Sequence, residues 1–183
     1  MSKELVKIET LYDDLELASK NNELNRLLAQ PPKKEWIKQN KFADNTEYLP
    51  IDKVEFLLVA VYGKFSVEIK SVSVIANSVV VVVRLHVRNP VSGEHEFQDG
   101  VGAAPIQTDK GAAATDFSKV KTSAVQMCSP AAESYAIKDA AEKFGRLFGK
   151  DLNRKDVASM SAFIENKSVL FDEILKERGM DNG

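Results

Sequence analysis

The side chains with most chemical promise are cations. Residues 110–155 hold nine basic and five acidic residues, a net charge of +4, in a 183-residue chain whose 25 basic and 27 acidic residues sum to −2. Lys119, Lys121, Lys138, Lys143, Arg146 and Lys150 lie in that stretch, and Lys53 opens an earlier apolar pattern. A basic segment between acidic neighbours is the footprint expected for a polyanion, with a solvated helix face as the plain alternative. Binding that ignores sequence asks for phosphate neutralisation and little else, and lysines at several points of a concave surface supply it.

Other groupings offer less. In Glu94-His95-Glu96 the two carboxylates share one face of a strand and the imidazole the other, so a metal there would need ligands from a third element. One cysteine and two histidines cannot build a disulfide framework or a Cys/His zinc site, and Cys128 suits a small buried position. Gly100-Val101-Gly102 lacks the third glycine of a dinucleotide fingerprint and suits relief of crowding at a strand end. No Gly-x-x-x-x-Gly-Lys-Ser/Thr loop is present, and nothing assembles a nucleophile, base and oxyanion hole. The expectation is a protein that is not an enzyme and uses no cofactor and no metal.

The elements that must position these cations follow from periodicity. Residues 4–29 carry leucines at helical spacing, one peripheral helix or two with a break near Asn21-Asn22, ended by Pro31-Pro32. Residues 33–50 are polar and turn-rich, a linker or surface arm anchored by Trp36 and Tyr48. Val54, Leu57, Leu58 and Val61 fall on one helical face, with Asp52 as cap and Gly63 as stop. The period then changes to two. Residues 65–74, 79–88 and 94–101 read as three strands joined by Asn77-Ser78 and by Asn89-Pro90-Val91-Ser92-Gly93, an antiparallel meander closed by the Gly-Val-Gly.

A helix is expected near Phe117, capped by Thr115 or Asp116; Ser129-Pro130 then either starts a second helix or kinks one long one. From Ala131 to Phe148, Ile137, Ala140, Ala141, Phe144, Leu147 and Phe148 form an apolar face, opposite Lys138, Glu142, Lys143, Arg146 and Lys150. Residues 155–178 repeat an amphipathic pattern. The fold class is therefore α+β: an antiparallel three-stranded, or slightly larger, β-meander packed against a long helix, with additional peripheral helices. The organisation is an N-terminal arm (1–48), a core (49–155) and a C-terminal helix (156–183). With 44% hydrophobic residues the chain can bury a core, and its apolar runs, Val79–Val83 among them, are too short to span a membrane. The opening Met-Ser-Lys-Glu and early acidic residues are unlike a signal peptide, so a cytoplasmic protein is expected.

One longer pattern links these elements. Ile51-Asp52-Lys53-Val54, a helix ending Tyr62-Gly63, three strands, Gly100-Val101-Gly102, then Ala136-Ile137-Lys138-Asp139-Ala140-Ala141 and Phe144-Gly145-x-x-Phe148-Gly149-Lys150 follow one another. Residues 49–155 thereby resemble the core of the Rad-fifty-two family of single-strand annealing proteins, especially its short phage members. The resemblance implies a helix on a curved antiparallel sheet, assembly into rings or filaments, and ATP-independent annealing of single-stranded DNA in a basic groove. It implies a phage exonuclease or a host single-strand-binding protein as partners. It places groove cations at Lys53 and Lys138, and an outer-site lysine at Lys119 or Lys121. Two further basic positions of the groove fall on Asp139 and Glu142 here, so that Lys143 and Arg146 take over their contacts or the groove is shaped differently. The competing readings are a small-molecule-binding or enzymatic cleft between helix and sheet, and a structural oligomer without nucleic acid. Against the first, Arg84, His86 and Arg88 share one face of a strand that is otherwise mostly valine.

Overall fold

The strand β4 (Ser78–Arg88) is buried at every second residue along its whole length, Val79, Val81, Val83, Leu85 and Val87, and therefore takes the centre of the sheet. In the computed structural model, which describes residues 15–40 and 45–154, it pairs antiparallel with β3 (Phe65–Ile75) on one side and β5 (His95–Pro105) on the other. Each of its inward side chains contributes on the order of 1.5–3 kcal/mol by leaving water. The long helix α3 (Ala124–Glu142) lies across β4 and β5, and α2 (Ile51–Tyr62) packs beside it near the start of β3. The α+β class and the helix-covered meander stand as expected.

Several elements differ from their sequence expectations. The Gly-Val-Gly does not end β5, which continues to Pro105. A Cβ on Gly100 would lie 2.1 Å from the Ala136 carbonyl oxygen, and one on Gly102 would lie 2.1 Å from that of Ala132. The helix backbone rests directly on the strand, against a stripe of Ala132, Ala136 and Ala140 that is wholly buried. Of the two alternatives at Ser129-Pro130 the single long helix is the one that forms: α3 runs from Ala124 through Pro130, with Ser129 Oγ donating to the Val125 carbonyl at 2.8 Å. The helix stops at Glu142 rather than Phe148, because the chain opens at extended Gly145 before a short 3-10 turn, Arg146–Phe148. Near Phe117 only a 3-10 turn forms, its Asp116 carboxylate accepting from the Ser118 N–H. Asp52 lies inside the first turn of α2, which Pro50 precedes; Gly63 (φ 76°) ends it as expected.

Residues 33–50 are more than a linker. A 3-10 turn (Lys34–Trp36) leads into a hairpin of β1 (Lys38–Asn40) and β2 (Thr46–Tyr48), with Trp36 partly buried against the core. Helix α1 (Leu15–Ala29) passes through Asn21-Asn22 without a break, and Leu28 packs against Gly145. Residues 1–14 and the amphipathic pattern at 155–178 lie outside the described residues. Among the described residues no helix is long and apolar enough to cross a membrane.

Candidate nucleic-acid interface

Lys138 projects from the last turns of α3 between two tyrosines. Its Nζ is 4.7 Å from the centroid of Tyr135, one turn earlier on the same helix, and 5.1 Å from that of Tyr48 at the end of β2. Both rings are partly exposed, and both offer their negative faces to the ammonium. Partial burial lowers the pKa of Lys138, against the opposing pull of Glu142. Glu142 is shifted up, first by burial and then by repulsion from Asp139.

Lys138, Tyr48 and Glu142 line a cleft of about 250 Å³ that also takes in Lys150, Arg154 and Glu47, with Tyr135 beside Lys138 outside the lining. Its wall is pinned by two reciprocal hydrogen bonds. The Glu47 N–H donates to Asn153 Oδ1, and Asn153 Nδ2 donates to the Glu47 carbonyl, each at 2.8 Å. The β1–β2 hairpin is thereby fixed against the chain that follows the last 3-10 turn.

The other cations anticipated from the sequence lie elsewhere. Lys143 Nζ is 3.1 Å from Asp139 Oδ2 and donates to the Asp99 carbonyl; the same Asp139 oxygen accepts from the Val101 N–H at 3.0 Å. Asp139 and Lys143 together engage two backbone groups on the free edge of β5, the Val101 N–H and the Asp99 carbonyl. Arg146 Nε lies 3.0 Å from Asp151 Oδ2, an ion pair whose N–H direction misses hydrogen-bond geometry, and Arg154 reaches the other oxygen of Asp151 at 3.6 Å. Lys53 pairs with its neighbour Asp52 at 3.1 Å. Lys119 and Lys121 are exposed beyond the opposite end of α3, roughly 20 Å or more from Lys138 at 1.5 Å per helical residue. The structure therefore brings Lys138 and Lys150 into one cleft and leaves Lys53, Lys119, Lys121, Lys143 and Arg146 outside its lining.

Asp139 and Glu142, the two acidic neighbours of Lys138 and Lys143, have separate positions. The first accepts from a strand-edge N–H; the second lies one turn beyond Lys138 on the same helix and also lines the cleft. Tyr135 and Arg154 are not among the residues anticipated from the sequence. Tyr135 was within reach, since residues three apart on a helix are neighbours. The pairing of Tyr48 with Lys138 is non-local and left no signal in the sequence. Among the described residues no three His, Cys, Asp or Glu side chains come together as a metal site. No protein-family model and no curated protein matches this chain.

Proposed function

We propose that this protein binds and anneals single-stranded DNA without ATP, holding the strand by its phosphates, with the Lys138 cleft as the point of contact. The observation that carries the proposal is the clamped lysine: an ammonium held between two partly exposed tyrosines, beside Lys150 and Arg154. Cations interleaved with aromatic rings suit a strand whose backbone is charged and whose bases all present a π-face. Holding Lys138 in place reduces the side-chain ordering that phosphate binding would otherwise require. The cleft is smaller than the roughly 300–1,000 Å³ of typical small-molecule pockets, which favours contact with a polymer over capture of a metabolite.

One cleft is short, so the proposal includes a homo-oligomer that repeats it along the strand. Side-by-side pairing of open sheet edges is one way to build such an oligomer. A repeating, head-to-tail pairing joins β3 of one subunit to β5 of the next, so at β5 it has to displace Asp139 and Lys143.

The test is fluorescence anisotropy with a labelled oligo(dT) over a range of salt, run alongside annealing of complementary strands. Three cations per cleft give a log–log salt slope of about −2 for each subunit engaged. Lys138→Glu should weaken binding, flatten that slope and slow annealing while leaving the melting temperature near wild type. Salt-independent affinity, or wild-type annealing by Lys138→Glu, would refute the proposal.

A further inference from the structure

A second grouping of rings and cations lies on the β1–β2 hairpin and the first turns of α2. Trp36 and Phe56 meet edge to face, 5.8 Å between centroids and 85° between planes. Lys33 Nζ stands 5.1 Å from the Trp36 centroid. Phe56 is 58% exposed on a helix whose Val54, Leu57 and Leu58 are buried, so its contact with Trp36 leaves more than half of it open among the described residues. Lys53 lies one turn before Phe56, and Lys53 and Lys38 both act electrostatically on Asp52. Lys38 is the direct cross-strand partner of Tyr48. Cross-strand partners share a face of the ladder, so the grouping continues through Tyr48 to Lys138.

We propose that this surface is a base-stacking platform for single-stranded DNA, in which Phe56, braced by Trp36, receives a base while Lys33, Lys38 and Lys53 follow the backbone. The inference rests on the Lys138 cleft being a strand-binding site, and it extends the strand's path onto residues outside that cleft. Glu35, Asp52 and Glu55 offset most of the local lysine charge, so the platform acts through ring contact more than through net charge. A base stacked by its face keeps its pairing edge free, as annealing to a complementary strand requires.

Trp36 is the only tryptophan in the chain, so its emission reports on this surface alone. Anisotropy of a labelled oligo(dT) and tryptophan emission are followed in one titration, with an abasic strand of equal length in parallel. The expected result is quenching of Trp36 that saturates together with the anisotropy. Phe56→Ala should bind oligo(dT) on the order of ten-fold more weakly, with an unchanged salt slope and an unchanged affinity for the abasic strand. Phe56→Leu, which keeps apolar bulk without the ring, should behave as Phe56→Ala, and Phe56→Tyr should restore affinity. Unquenched Trp36 at saturation, or full oligo(dT) affinity in Phe56→Leu, overturns the platform and leaves the strand-binding proposal standing. No anisotropy change with either strand overturns that proposal and the platform with it.

Discussion

Replacing Gly102 by alanine tests how closely α3 rests on the sheet. The added Cβ would lie 2.1 Å from the Ala132 carbonyl oxygen, 2.3 Å from the Ala136 nitrogen and 2.8 Å from the Tyr135 Cβ. Two of these are backbone atoms, which no rotamer change can move aside. To restore ordinary contact near 3.4 Å, the helix must withdraw by about 1.3 Å at that point. The withdrawal loosens Ala132, Ala136 and Ala140 together, because all three close against the same strand. Overpacking of this kind typically costs about 1–3 kcal/mol, with rigid backbone neighbours toward the upper end. Restricting the unfolded chain returns about 0.4–1 kcal/mol, so the net loss is about 2 kcal/mol. Urea unfolding should show a lower midpoint at an unchanged slope. Ala103→Ser, on the neighbouring exposed position, is the control and should stay within about 0.5 kcal/mol of wild type. A Gly102→Ala midpoint matching the control would refute the close approach of helix and strand.

Glu142→Gln removes a carboxylate whose pKa burial holds above its ordinary value. Ionisation of such a group opposes folding, so wild-type stability should rise as pH falls from neutral toward 4.5 and the variant should lose that rise; it should also bind DNA more tightly at pH 7, and equal affinity would remove Glu142 from the strand's path. Asp99 is held below its ordinary value, mainly by its hydrogen bonds from Arg84 at 2.7 and 2.8 Å. That contribution is present above pH 3.8 and is lost as pH falls through the lower folded value, so Asp99→Asn should flatten the acid limb of the unfolding curve below about pH 4, and an unaltered limb would argue against the pair. Asp139→Ala removes the acceptor of the Val101 N–H and the partner of Lys143; hydrogen exchange at residues 99–101 should quicken while the centre of β4 stays protected, and an unchanged rate would mean that this edge is not held by α3.

The sheet was legible because its information is local. The valine run 79–83, continued by Leu85 and Val87 alternating with Arg84 and His86, marks the central strand, and the Asn89–Gly93 loop carries its own signal, Asn89 Oδ1 accepting from the N–H groups of Val91 and Ser92. The misreadings share a physical origin. Gly100 and Gly102 looked like a strand end because the backbone that crowds them belongs to a distant helix. Helix α3 was drawn too long at its C-terminus because apolar spacing continued past Phe144, while Gly145 opened the backbone against Leu28. Residues 33–50 looked polar and featureless because their partners, Phe56, Lys138 and Asn153, lie far along the chain. For the candidate site, Lys138 and Lys150 could be named from charge and helical spacing, whereas the tyrosine clamp and the pairing of Lys143 with the β5 edge arise only when the layers assemble.

The contacts of Asp139 and Lys143 with the middle of the β5 edge also set an order of events during synthesis. Strands β3, β4 and β5 are joined by short connections and can pair as soon as all three have emerged from the ribosome. The two side chains that engage the outer edge belong to the end of α3, roughly forty residues later, or about 2–8 s at ordinary elongation rates. Through that interval the nascent sheet presents a bare valine face and an open edge to its neighbours on the same message. Helix α3 then arrives from its N-terminus, covering the face first and engaging the edge last. The period of vulnerability to misassembly is therefore written into the distance between β5 and the end of α3, and translation speed over that stretch bears on the yield of folded protein.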